Sequence, residues 1–248
     1  MKILAVARSI WAGLQALFFP ERCVTCHQTG SAFCEQCQRT VQFVLPPLCP
    51  LCGYPSTHGR LCRQCRESAP AIDGIRSVAF FEGPLRQAVH AFKYRGLRCL
   101  SEPLAGLMSA CWYQSPLPVD VIVPVPLHRR RLRERGYNQA ELLAGTLGAE
   151  VRLPVHTDCL FRIRATSPQV ELDASERRAN VADAFQCRDN GAVAGCRVLL
   201  IDDVCTTGAT LESCSQALRQ AGAQAVWAFT LGRARHAWSF RGCLNDLV

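Results

Sequence analysis

The residues best suited to chemistry lie in one segment, 198–210, which reads V-L-L-I-D-D-V-C-T-T-G-A-T. The two adjacent carboxylates, Asp202 and Asp203, can accept hydrogen bonds from vicinal sugar hydroxyls or share a divalent cation. A short loop follows them and leads into a helical pattern, and backbone N–H groups at a helix N-terminus favour anions. The segment therefore offers a phosphate site beside a diol site, a combination that suits a phosphorylated ribose. The loop residues are Thr206, Thr207, Gly208, Ala209 and Thr210.

The elements around this segment predict an α/β fold. The apolar run 198–201 is typical of a strand buried on both faces, as in a parallel sheet. Open α/β folds bind their ligands at the carboxyl ends of such strands. The alternation of strands and helices over 119–232 favours βαβ units. Predicted strands cover 75–81 and 119–126, and predicted helices cover 85–95, 100–113 and 138–149.

Eight cysteines form four Cys-x2-Cys pairs within residues 23–65. Each pair aims two sulfurs at one point, and two pairs complete the tetrahedron that Zn²⁺ prefers. Such closed sites are structural and supply folding energy to a segment too small for a core of its own. We prefer sequential pairing, with one zinc in 23–37 and another in 49–65, over a cross-braced arrangement, although the spacing allows both. The predicted ligands are Cys23, Cys26, Cys34, Cys37, Cys49, Cys52, Cys62 and Cys65.

Composition limits the class of protein. The chain has 248 residues, 49% of them hydrophobic, and a net charge of +8, which suits a polyanionic ligand. The apolar stretch within 1–20 is interrupted by Arg8 and Gln15 and lacks a cleavage site, so it predicts an amphipathic helix packed on the protein. It is too short and too interrupted to span a membrane. We therefore expect a cytoplasmic protein whose cysteines are thiols or metal ligands.

The densest charge in the chain follows the strand predicted at 119–126. Five arginines fall within 129–135, in a stretch that we interpret as a loop and that ends in Gly-Tyr-Asn-Gln. A solvated basic surface is one interpretation, and an anion site is the other. With Tyr54 and Tyr137 taken as exposed rings, the pattern is compatible with single-stranded DNA, since such grooves combine cations with stacking aromatics. It is equally compatible with a diphosphate site alone.

Segment 198–210 resembles the 5-phosphoribosyl 1-diphosphate (PRPP) signature of the phosphoribosyltransferase superfamily along its whole length. Further motifs follow one another in family order and narrow the resemblance to the ComF family of phosphoribosyltransferase-like proteins. They are the cysteine pairs, His90 to Gly96, the V-P-V-P strand end, Arg133 to Gln139, Arg164-x-Thr166-x-x-Gln169-x-x-Leu172, Arg177, Asn180 and Ala184-Phe185.

The resemblance implies a type I phosphoribosyltransferase fold, with helices on both faces of a parallel sheet, behind a double zinc ribbon. It divides the chain into an N-terminal helix (1–20), the ribbons (21–68) and the transferase-like domain (70–248). It also implies links to PRPP, to single-stranded DNA and to DNA uptake in competent bacteria or the use of DNA as a nutrient. Other DNA-uptake proteins are possible partners on the same ground.

The resemblance also implies a role for each part of the site. The loop 206–210 would hold the 5-phosphate, with Ala209 contributing backbone N–H, and Asp202 and Asp203 would hold the ribose hydroxyls directly or near Mg²⁺. The diphosphate would be neutralised by Arg129, Arg130 or Arg131. The neighbouring wall would consist of Arg133, Arg135, Tyr137, Asn138 and Gln139. A loop that closes over the site would contribute Arg164, Gln169, Arg177 and Asn180.

One departure from the superfamily narrows the chemistry. Enzymes that act on 6-oxopurines carry a carboxylate where this chain has Thr206, which argues against that substrate class. Three hypotheses follow: a PRPP-binding protein that serves DNA uptake or utilisation, an active phosphoribosyltransferase in nucleotide salvage with an unidentified nucleophile, and a zinc-ribbon nucleic-acid adaptor with a vestigial transferase fold.

Overall fold

The structure is a computed structural model that describes residues 21–67, 69–164, 184–188 and 190–235. The predicted N-terminal helix lies outside the described residues, as do the predicted loop residues Gln169, Arg177 and Asn180. Across the described ranges, no helix is both long and apolar enough to cross a membrane.

Strands and helices alternate along most of the described chain. The strands are β1 (Gly74–Phe80), β2 (Val121–Pro124), β3 (Leu160–Arg162), β4 (Phe185–Cys187), β5 (Arg197–Cys205) and β6 (Ala225–Arg233). The helices are α1 (Glu35–Arg39), α2 (Arg63–Glu67), α3 (Gly83–Tyr94), α4 (Ser101–Gln114), α5 (Arg129–Arg135), α6 (Gln139–Val151) and α7 (Ala209–Gln220).

The main sheet is parallel throughout, with the strand order β1-β6-β5-β2. β3 and β4 form a separate antiparallel pair. Because every strand of the main sheet runs the same way, all their carboxyl ends meet at one edge. That edge contains the ends of β2 and β5, which the sequence predicted to carry the site.

Each face of the sheet packs against its own hydrophobic core, as predicted for a strand buried on both sides. Leu199 and Ile201 of β5 belong to the core shared with α3, α4 and α6. Val198 and Leu200 point the other way, into the core shared with α7 and the β3–β4 pair. Strand alternation therefore places the next two residues, Asp202 and Asp203, on opposite faces of the sheet.

The arginine-rich segment is a helix, so the prediction of a loop there was wrong. Arginine is a good helix former, and both ends of α5 are capped. The His128 side chain accepts a hydrogen bond from the Arg130 N–H, and Gly136 ends the helix at φ +79°. This left-handed conformation is the usual reason for glycine after a helix.

The ribbon segment packs directly on the sheet. The amide of Val44 donates to the Val78 carbonyl (3.0 Å), and the amide of Phe80 donates to the Gln42 carbonyl (2.8 Å). The ribbon thereby covers the edge of β1 that faces away from β6. Phe33 and Val41 also lie in the same core as α3 and α4.

Candidate functional site

The carboxyl edge of the sheet brings the two predicted acids beside a lysine that sequence reasoning left out of the site. The Asp203 carboxylate lies 2.6 Å from the Lys93 ammonium, and both side chains are largely buried. Lys93 is near the carboxyl end of α3, which packs on the face of the sheet toward which Asp203 points. Its only signal in the sequence is its place in the His90–Gly96 motif.

Asp202 points to the other face and has different surroundings. It is half-buried, and its Oδ1 accepts a hydrogen bond from the Asp203 amide (2.8 Å). Burial, reinforced by the charge of Asp203, raises the pKa of the Asp202 carboxyl to about 7, and Lys93 and Arg162 act in the opposite direction. Arg162 of β3 is thus a second nearby cation that the sequence did not single out.

The predicted phosphate loop joins β5 to α7 directly. Gly208 adopts φ +82° as the N-cap of α7, and a Cβ there would lie 3.4 Å from Ile75 Cδ1. The Thr207 hydroxyl accepts a hydrogen bond from the Ala209 amide (3.3 Å), and both residues are buried. Thr206 and Thr210 stay partly exposed. The loop therefore combines exposed hydroxyls with the positive end of a twelve-residue helix, the arrangement that favours a phosphate.

Helix α5 begins close to this edge because β2 and β5 are paired. The Val125 amide donates to the Ile201 carbonyl (2.9 Å), and α5 starts four residues later. Arg129, Arg130 and Arg133 are exposed, whereas Arg131 and Arg135 are half-buried. The helix therefore presents most of its cations to solvent.

Two arginines of α5 also have partners within the protein. Arg130 pairs with Glu134 one turn along (2.9 Å), and Arg135 donates to the Gln139 side chain (2.5 Å). The exposed Arg130–Glu134 pair contributes little stability. Arg164, at the end of the described segment after β3, is exposed.

Tyr137 and the two residues after it are buried, so the expectation that Tyr137 is an exposed stacking ring was wrong. The Tyr137 hydroxyl donates to the Phe92 carbonyl, and Gln139 Nε2 donates to the same carbonyl (3.5 Å). Asn138 caps α6 and also donates to the Val125 carbonyl (3.1 Å). These side chains join the start of α6 to the ends of α3 and β2. They thus position the segments that carry Lys93 and the arginines.

A buried arginine completes this edge of the sheet. Arg233, at the end of β6, is fully buried, and its Nη1 lies 3.2 Å from the sulfur of Cys205. Its guanidinium also lies 5.9 Å from the ring of Tyr54, which is itself half-buried. Sequence reasoning missed Arg233 because nothing in the sequence marks a residue outside the known motifs.

The eight ribbon cysteines form two four-sulfur clusters. The sulfurs of each cluster all lie within 4.8 Å of one another, and the pairing is sequential, as we preferred. The Cys26–Cys34 and Cys52–Cys62 sulfurs are 3.6 and 3.8 Å apart. A tetrahedron with Zn–S bonds of about 2.3 Å separates its sulfurs by about 3.8 Å. The donor sets therefore fit Zn²⁺, with no position left for a substrate.

Comparison with known proteins identifies the class to which this architecture belongs. Residues 14–66 match the double zinc ribbon domain, and residues 141–241 match the phosphoribosyl transferase domain. The chain is thus a double zinc-ribbon protein with a phosphoribosyltransferase-type α/β domain.

Named relatives narrow the assignment from this class of protein to one family. Competence protein F of Haemophilus influenzae is 32% identical, over 88% of this chain and 99% of the relative. DNA utilization protein YhgH of Salmonella typhi is 35% identical over 81% and 89%. Competence protein ComFC of Bacillus subtilis is 30% identical over 81% and 84%. The chain belongs to the ComF family.

Proposed function

We propose that this protein binds PRPP together with Mg²⁺ at the carboxyl edge of the main sheet. The observation that carries the proposal is the acid pair at the end of β5, which leads directly into a phosphate loop at the start of α7. The two parts match the two ends of a phosphorylated ribose: hydroxyls and N–H groups for the 5-phosphate, and carboxylates for the diol.

The two carboxylates would contribute differently to the ligand. Carboxylate oxygens are ligands that Mg²⁺ prefers. Asp203 is already neutralised by Lys93, so Asp202, whose pKa is raised, is the acid whose ionised form a bound cation would favour. The exposed arginines at the start of α5 would neutralise the diphosphate.

We further propose that PRPP binding serves DNA uptake or DNA utilisation. The names of the relatives, which concern competence and the use of DNA, support this assignment. The exposed arginines of α5 favour contact with the phosphates of a single strand at the same time. A net charge of +8 favours the approach of such a polyanion.

Calorimetric titration with PRPP and Mg²⁺ tests the central proposal. The double variant Asp202→Asn/Asp203→Asn keeps the size of both side chains but removes two charges, and we expect PRPP affinity to fall at least about tenfold. Asp120→Asn is the matched control, because Asp120 lies just before β2, at the opposite edge of the sheet, where it pairs with Arg197. Unchanged PRPP affinity in the double variant would show that the acid pair is not the ribose site.

Two further measurements separate the competing functions. A screen of nucleobases for diphosphate release from PRPP would reveal a transferase and its nucleophile. In cells competent for DNA uptake, the double variant should lose transformation if PRPP binding is required. Normal transformation despite lost PRPP binding would favour a nucleic-acid adaptor with a vestigial transferase fold.

Single-strand binding has its own test. If the exposed arginines of α5 contact phosphates, the logarithm of affinity should fall linearly with the logarithm of salt concentration, with a slope of about −0.7 for each phosphate contacted. Salt-independent binding, or none at low salt, would exclude α5 as a DNA-binding surface.

A further inference from the structure

An exposed aromatic ring lies among the basic residues beside the candidate site. Tyr94, the last residue of α3, has 61% of its surface exposed. The Arg135 guanidinium lies 5.3 Å from the centre of its ring, and the His90 ring is 4.8 Å away. A tyrosine ring contributes most to the stability of a fold when it packs against other side chains. A ring that is exposed among cations is therefore suited to contact a planar group of another molecule.

The surroundings of Tyr94 supply both charge and proximity to the predicted ligand. Lys93, the preceding residue, pairs with Asp203 at the predicted diol site. Arg95 and Arg98 follow and are exposed, and Arg98 donates to the Gly136 carbonyl (2.5 Å) just after α5. A basic surface therefore continues from the end of α3 onto α5, with Tyr94 where the two helices meet.

The length of this surface suits a short stretch of nucleic acid. From Arg129 to Arg135, α5 rises about 9 Å. Successive phosphates of one stacked strand are about 3.4 Å apart along the axis, so α5 matches roughly three nucleotides. Grooves for single strands combine such a cationic track with an aromatic ring on which a base stacks.

We propose that Tyr94 stacks on a nucleobase of a single DNA strand whose phosphates lie along α5. The inference rests on the proposed single-strand binding and adds the residue that recognises a base. It assigns to Tyr94 the role that the sequence suggested for Tyr137, whose ring is buried and whose hydroxyl is bonded to the Phe92 carbonyl. The base would then lie next to the site proposed for the ribose.

The test measures binding of a fluorescent thymidine oligonucleotide by anisotropy. We expect Tyr94→Ala to weaken binding about tenfold, and Tyr94→Phe, which keeps the ring, to retain affinity within about twofold. Tyr113→Ala is the matched control, because Tyr113 is equally exposed (66%) but lies on α4 and donates to the Glu150 carbonyl. That control should bind like the parent protein.

Salt dependence and an abasic strand separate stacking from charge. Tyr94→Ala should leave the salt slope unchanged, whereas Arg133→Ala should reduce its magnitude by about 0.7. On a strand of the same length without bases, Tyr94→Ala should bind as tightly as the parent protein. Thermal unfolding of each variant confirms that the fold is intact.

Three outcomes would overturn the proposal. In the first, Tyr94→Ala binds the thymidine strand normally while Arg133→Ala does not, which would leave the proposed DNA binding in place and remove the stacking role. In the second, Tyr94→Ala loses as much affinity for the abasic strand as for the thymidine strand. If the parent protein binds no single strand at all, both the proposed DNA binding and this inference fail, whereas PRPP binding, measured separately, is unaffected.

Discussion

Asp202 and Asp203 are neighbours in the chain, yet their environments differ because successive residues of a strand point to opposite faces. The Asp203 carboxylate pairs with the Lys93 ammonium. The Asp202 carboxyl has no such close partner among the described cations, and burial raises its pKa to about 7. Asp120 provides the opposite case, because hydrogen bonds from Arg197 lower the pKa of its carboxyl to about 2. At neutral pH the Asp202 carboxyl therefore lowers the stability of the folded state, whereas the Asp120 carboxylate raises it.

These pKa shifts predict opposite effects of pH in two matched variants. Above its unfolded pKa, near 3.8, Asp202 costs the folded state increasing free energy as pH rises towards 7. Without PRPP and Mg²⁺, Asp202→Asn should therefore raise the free energy of unfolding by ~1–3 kcal/mol at pH 8 and by little at pH 4. Urea denaturation across this pH range measures the difference.

Asp120→Asn should behave in the reverse way. The lowered pKa of Asp120 stabilises the fold above pH 3.8, and this contribution is lost as pH falls through about 2. The variant should therefore be less stable than the parent protein at neutral pH, and the two should converge in acid. Equal pH profiles for both variants would contradict the assigned environments.

Lys93 provides a second prediction about single residues. Lys93→Ala would leave the largely buried Asp203 carboxylate without its ammonium partner. We expect a loss of about 2 kcal/mol in unfolding free energy, below the value for a fully buried pair because Lys93 keeps some exposure. Removing both partners, in Lys93→Ala/Asp203→Ala, should restore part of that loss. Asp203→Ala completes the double-mutant cycle, and a double variant whose loss equals the sum of the two single losses would show that the pair is not energetically coupled.

Among the elements, the first ribbon and the main sheet share one hydrophobic core. The sequence predicted that metal binding supplies folding energy to the ribbon segment, which is too small for a core of its own. The structure places Phe33 and Val41 in the core of α3 and α4, and Gln42 beside β1. Metal binding by the ribbon should therefore also stabilise the sheet.

Cys34→Ser tests this dependence. Without its fourth sulfur, the first cluster should lose zinc, and the unfolding free energy of the sheet should fall by at least about 3 kcal/mol. Hydrogen exchange of the Phe80 amide, which donates to the Gln42 carbonyl, should accelerate strongly. Cys99→Ser, which changes an exposed thiol outside both clusters, serves as the control. A zinc-free variant with normal Phe80 protection would show that the two modules are independent.

At the scale of the whole molecule, shared cores predict cooperative unfolding. Purified protein should carry about two zinc ions per chain, one in each four-sulfur cluster. Because the first ribbon and the sheet share one core, calorimetry should show a single transition for both. Chelation of zinc should lower the temperature of that transition as a whole. Protein purified without zinc would contradict the zinc sites, and a transition unchanged by chelation would contradict their coupling to the sheet.

Features that depend on neighbouring residues could be predicted from the sequence. The four Cys-x2-Cys pairs predicted both clusters, because each turn aims its sulfurs locally. The order of apolar run, acid pair and Thr/Gly loop predicted the end of β5 and the start of α7, because these residues are covalently consecutive. The alternation of strands and helices similarly predicted a parallel sheet.

Only the tertiary structure decided which distant side chains meet. Lys93 pairs with Asp203 because α3 packs on the face of the sheet toward which Asp203 points. Tyr137 is buried and Tyr94 exposed because the start of α6 packs against the end of α3, a contact between segments more than forty residues apart. The spacing of residues within a motif does not determine such packing. The packing is set by how whole helices bury their apolar faces, and no single motif encodes that arrangement.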